Sequence, residues 1–256
     1  MSKRTRFVIT SFILSFGFVG VQFLNDQNRF WAIGILGLLT SALFLWSLFE
    51  NLKPNMTLLT LVLPVMFTLG VGFFWFLLPS NIFAKIPIVI FYGLGIYILC
   101  LTANIYSVAS VRTIALLRAA RGVGFVLTLL ASFLVFDAIL SVKTEIYYLV
   151  PAVLALSFPL YLQGFWSMVL EKEYSAELVI LSAASSLITA ELSAVLYFWP
   201  VTIVVGSLFL TASFYMLLGL GQAKLEGRLF KSTVREHLLV GTLIFMAMII
   251  ATRWGA

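Results

Sequence analysis

The chain has 256 residues, of which 62% are hydrophobic and 10% charged, and carries a formal net charge of +6 at pH 7. Soluble domains hold roughly 25% charged residues, so this composition, with a mean hydropathy of +1.11, excludes a soluble globular protein and indicates a polytopic membrane protein. The segments between apolar runs leave no room for a soluble domain, and the single cysteine, Cys100, excludes a disulfide framework.

Lys3, Arg4 and Arg6 precede a first apolar run, 7–24. About 20 apolar residues span the ~30 Å of a bilayer's hydrocarbon. The run ends in Asn-Asp-Gln-Asn with no small-residue cleavage site, so it reads as an uncleaved first helix rather than a signal peptide. Further spans are predicted over 30–49, 56–79, 86–108 and 122–141, then over 146–166, where Pro151 and Pro159 each remove a helix hydrogen bond and predict a kink. The seventh span, 177–198, is the one around which the rest is organised. Ser182, Ser186, Ala190 and Ala194 recur every fourth position, and Ser185, Thr189 and Ser193 form a second such row. Small rows let helix backbones approach closely in lipid, so this helix belongs inside a bundle. The eighth span, 200–221, follows after Trp199 and Pro200 by a tight reversal, and the ninth, 238–252, is short for a crossing. The expected fold is all-α: one membrane domain, a bundle of about nine spans.

Placing the N-terminus in the cytoplasm and the C-terminus outside puts Lys3, Arg4, Arg6, Lys53, Arg112, Arg118, Arg121, Lys172, Lys224, Arg228, Lys231 and Arg235 inside. Arg29, Lys85, Lys143 and Arg253 fall outside. Twelve of the 16 basic residues are then cytoplasmic, the bias expected of a membrane protein. This accounts for the positive charge without a nucleic-acid partner. Trp31, Trp166, Trp199 and Trp254 lie near span ends, as interfacial aromatics do.

Several chemistries are excluded. His237 is the lone histidine, which leaves a bis-histidine haem, an H-E-x-x-H zinc site and a Ser-His-Asp triad without a needed partner. The Gly-x-Gly pairs at 70/72, 93/95, 122/124 and 219/221 follow no strand and read as packing notches, not dinucleotide fingerprints. No metal and no cofactor is implied, and the missing acid, base and metal constellations point away from an enzyme.

Two carboxylates sit within apolar runs. From helix rise, Asp137 lies roughly 6 Å and Glu191 roughly 10 Å from the outer ends of their spans. Intramembrane carboxylates are functional candidates by default. Together they would form an outward-facing acidic site for a proton, a cation or an amine. The plainer roles are an interfacial Asp137 in reach of Lys143 and a hydrogen-bonded packing Glu191. A second constellation is cytoplasmic: Asn104, Arg112, Arg118 and Arg121. Arg118 and Arg121 share a helix face, and arginines grip phosphate, so these residues are candidates for anionic phospholipid. Their plainer role is to set topology.

The stretch NIYSVASVRTIALLRAARGVGFVLTLLASFLVFDAILS, from Asn104 to Ser141, together with FTLGVGFFWFLLPSN, from Phe67 to Asn81, resembles a small uncharacterised family of bacterial multipass membrane proteins. The resemblance implies a bacterial inner-membrane protein with no catalytic residues to carry over. Three function classes remain: a small-solute or proton-coupled permease, a non-catalytic scaffold or accessory subunit, and an envelope-lipid-handling protein. Whether Glu191 faces a water-filled cavity or is sealed by packing separates the first two.

Overall fold

A computed structural model describes residues 2–21, 23–49, 54–77, 82–109, 115–170 and 175–252. In hydrocarbon a backbone must satisfy its own hydrogen bonds, and a helix does so within one segment. The apolar runs accordingly fold as α1 (Lys3–Val21), α2 (Asp26–Leu48), α3 (Pro54–Phe74, followed by a 3-10 turn, Trp75–Leu77), α4 (Ile82–Ala109), α5 (Leu117–Ser141), α6 (Ile146–Val169), α7 (Ala176–Tyr197), α8 (Ile203–Leu225) and α9 (Lys231–Ala251). Among the described residues there is no strand. Eight of these helices are long and apolar enough to cross a membrane, and α3 contributes a shorter apolar stretch, Leu58–Phe74.

Two details depart from the sequence reading, one in α9 and one at Trp166. The last helix has 21 residues rather than the short run 238–252, because it begins at Lys231 and takes Arg235, Glu236 and His237 into its first turns. Charged side chains end an apolar run without ending a helix. Trp166 is 1% exposed, a core residue rather than an interfacial one, since α6 continues past it to Val169. Pro151 and Pro159 both lie inside α6, which runs on across them. Trp254 lies outside the described residues.

The chain forms two compact units, Met1–Val135 and Phe136–Ala256. In the first, α1 packs on α2 and α4, α2 on α3, and α3 on α4, which closes a four-helix ring. Its core is aromatic. Phe18 meets Trp75 edge-on at 5.1 Å and Tyr92 at 4.9 Å between ring centroids. Tyr92 also needs a polar partner once buried. Its hydroxyl lies 3.1 Å from that of Thr68, which is 3.2 Å from that of Thr40. The last turn of α4 holds the first turn of α5 through Tyr106, whose hydroxyl donates to the Ala120 carbonyl at 3.0 Å.

In the second unit α6 and α7 pair most extensively, and α8 packs on both. The two small rows explain why. Ser182, Ser186 and Ala190 of one, and Ser185, Thr189 and Ser193 of the other, are all buried. The hydroxyls of Ser182, Ser186, Thr189 and Ser193 cost little to bury because they donate to carbonyls of their own helix, those of Leu178, Ala183, Ser185 and Ala190. Gly164 of α6 and Gly221 of α8 let the backbones close further, each against a large side chain of the other helix, Leu218 and Phe165. α9 rests on α8 and is otherwise scarcely covered.

Candidate functional site

Asp137 stands on the last two turns of α5 and is 3% exposed. A carboxyl so placed needs hydrogen bonds, and α8 supplies one. The Ser207 hydroxyl lies 3.0 Å from Asp137 Oδ1. This approach is set by Gly206, where an added Cβ would come within 3.3 Å of Leu140 Cδ1. Phe136 and Phe214 pack beside the pair, centroids 6.2 Å apart. Lys143, the expected neighbour of Asp137, is exposed beyond the end of α5, and Ser207 is the partner found instead.

The protons around Ser207 must be counted. Its Oγ is also 3.0 Å from the Val204 carbonyl. A hydroxyl carries one proton to donate. Carbonyl and carboxylate both accept, so an ionised Asp137 would compete with Val204 for that proton. A protonated Asp137 removes the conflict, since it donates to Ser207 Oγ while Ser207 donates to Val204.

One helical turn beyond this pair is a cleft of about 360 Å³. Leu140 and Gly206 line it next to the pair, and Lys143, Thr144, Trp199 and Thr202 supply its polar wall. The reversal between α7 and α8 shapes that wall. Thr202 caps α8 by accepting from the Val205 amide, and the Trp199 indole donates to the Thr252 hydroxyl at 3.0 Å, which ties the turn to the end of α9. Lys143 lies in the left-handed region, φ 51°. On the rim the Tyr197 hydroxyl donates to Glu145 Oε2 at 3.3 Å. Deeper in the unit, the Tyr161 hydroxyl meets that of Thr189 at 2.8 Å, and the Gln222 amide donates to the Gly164 carbonyl at 3.1 Å. These bonds tie α6 to α7 and to α8.

Glu191 is placed differently. It is exposed on α7, on the face opposite the two small rows, and is not among the residues lining the cleft. Asp137 and Glu191 are thus not joined in one acidic site. Of the basic constellation, Asn104 on α4 and Arg121 on α5 are half-buried and Arg118 is exposed. Arg112 lies outside the described residues. Of the eight paired Gly-x-Gly glycines, seven are notches against a neighbouring side chain, and only Gly122 faces open space. Among the described residues no group of His, Cys, Asp and Glu could hold a metal ion.

A sequence-family model described as "Protein of unknown function (DUF5656)" matches residues 9–251. The chain belongs to this family. The DUF5656 match runs from the first turns of α1 to the end of α9, so it takes in both compact units, the Asp137–Ser207 pair and the cleft. No curated protein and no solved structure matches the chain.

Proposed function

We propose that this chain is a permease-like protein of the bacterial inner membrane that moves a small polar solute coupled to a proton. Asp137 is the group that takes up and releases the proton, and the cleft beyond it admits the solute. The observation that carries this reading is the buried Asp137–Ser207 pair one turn beneath a polar cleft. The charge bias supports an N-terminus in the cytoplasm, which puts the cleft at the external face, and the family resemblance supports a bacterial membrane. Lys143 and Thr144 would contact the solute first. Asn104, Arg118 and Arg121 have a separate role at the cytoplasmic face, where they contact anionic phospholipid.

The reading requires that water and solute reach the level of Asp137. Ser207→Cys, made in a Cys100→Ala background and reconstituted in liposomes, tests this with a membrane-impermeant thiol reagent. Modification of Cys at 207 is expected, and it should slow when the cleft is closed by a bulky substitution at Thr144. A thiol at 207 that never reacts while one at Thr144 does would overturn the reading.

A second reading, an accessory or scaffold subunit, is favoured by the placement of Glu191. A carboxylate on an exposed helix face within the membrane is costly unless another protein covers it. Pull-down of a stoichiometric partner by the parent, lost on Glu191→Leu, would favour this reading over the first.

A further inference from the structure

The first compact unit carries a groove that the sequence reading did not anticipate. It lies between α1 and α4 and encloses about 470 Å³. Its α1 wall is Val8, Ser11, Phe12, Ser15, Phe16 and Val19. The groove exists because the two helices touch at a seam of small residues. The Ser11 hydroxyl donates to the Gly93 carbonyl, and an added Cβ at Gly93 would lie 2.6 Å from Ser15 Oγ. Larger side chains stand proud on either side: Phe12 and Phe16 on α1 are 60% and 71% exposed, and Ile90 and Leu94 on α4 are 57% and 58% exposed. The result is a furrow with apolar walls on the outer surface of a membrane-spanning helix pair.

Two features select the occupant. The first is length. From Val8 to Val19 the furrow runs about 16 Å at ~1.5 Å per residue, close to the ~15 Å of one leaflet's hydrocarbon. The second is charge at one end. Arg4 is exposed and precedes Val8 by four residues and Phe12 by eight, so it continues the furrow face of α1. Lys3 and Arg6 lie toward other faces of the helix. Short connections make α1 to α4 run alternately up and down, so α4 is antiparallel to α1. With Ser11 at Gly93, Tyr97 stands one turn further along α4, at the Arg4 end. A Tyr there presents an apolar ring to hydrocarbon and a hydroxyl to the head-group region.

We propose that this furrow is a binding site for one anionic phospholipid of the leaflet that surrounds the N-terminus. An acyl chain lies along Val8 to Val19, and the phosphate is held by Arg4 beside Tyr97. The site is separate from the basic residues at the start of α5 and does not rest on the permease reading.

The full chain, delipidated in detergent, is titrated with dioleoyl phosphatidylglycerol or dioleoyl phosphatidylcholine and followed by native mass spectrometry. With Arg118 and Arg121 both replaced by Gln, so that the basic residues of α5 no longer contribute, the chain is expected to hold one phosphatidylglycerol more tightly than phosphatidylcholine. Arg4→Gln should weaken the phosphatidylglycerol site about fivefold, the size of one basic contact to an anionic head group, and leave phosphatidylcholine unchanged. Val89→Trp, which fills the furrow, should weaken both lipids. If Val89→Trp does not fold, Phe12→Ala removes one wall from the exposed side and should weaken both lipids too. Phosphatidylglycerol binding that Arg4→Gln leaves unchanged, or that the furrow variants leave unchanged, would overturn the proposal.

Discussion

Gly221 of α8 can be used to measure how closely the second unit is packed. A methyl group added there would lie 2.3 Å from Phe165 Cε1, 2.5 Å from its Cζ and 3.1 Å from Leu181 Cδ2. Phe165 cannot retreat cheaply, because it is fully buried and stacked on Tyr161 at 5.8 Å. Overpacking of this kind costs ~1–3 kcal/mol. Replacing Gly by Ala within a helix returns ~1 kcal/mol of backbone propensity, so Gly221→Ala should lose up to about 2 kcal/mol on balance. Gly122 in α5 supplies the opposite case. Nothing lies within 4 Å of its added Cβ, so Gly122→Ala should gain up to ~1 kcal/mol. At about 2–4 °C per kcal/mol for a chain of this size, thermal unfolding in one detergent should fall by up to about 8 °C for Gly221→Ala and rise by up to about 4 °C for Gly122→Ala. A Gly221→Ala protein as stable as Gly122→Ala would refute the packing described for α6, α7 and α8.

Other predictions follow from the same geometry. Ser186→Leu, at a position 1% exposed in the small rows, should destabilise the protein by ~1–3 kcal/mol, whereas Glu191→Gln on the exposed face should leave thermal stability unchanged; equal melting of Ser186→Leu and parent would put α7 at the periphery. Tyr161→Phe removes the 2.8 Å bond to Thr189 and should cost about 1 kcal/mol, read as a small drop in melting temperature that a Thr189→Val background abolishes. Cysteines at Lys143 and Arg228, in a Cys100→Ala background, should label from opposite sides of the membrane. Labelling of both from outside would contradict the orientation inferred from the charges.

The helices were legible because hydrocarbon demands apolar runs, and among the described residues each of the nine runs has its helix. Their ends were less so. The start of α9 at Lys231 is hidden from an apolar count, since charged residues form a helix's first turns as readily as apolar ones. The burial of α7 was legible in the fourfold spacing of Ser182, Ser186 and Ala190. That spacing also locates Glu191, because at 3.6 residues per turn it falls opposite both small rows and so away from the packed side. Asp137 was visible as a carboxylate in an apolar run, but its partner was not. Ser207 is one serine among many in the spans, 70 residues further on, and nothing local distinguishes it until α5 and α8 meet at Gly206. The furrow between α1 and α4 was hidden for the same reason: Ser11, Ser15 and Gly93 form a seam only after folding.

The proposed transport depends on an exchangeable proton held by Asp137 beneath the cleft. Infrared difference spectroscopy of the reconstituted protein tests it directly, with Asp137→Asn as the subtraction. A carbonyl stretch from a protonated carboxyl is expected that is present in the parent, absent in Asp137→Asn, shifted in Ser207→Ala, and lost reversibly as the pH on the cleft side is raised. A parent spectrum without that band, or with a band that no change of pH removes, would contradict it.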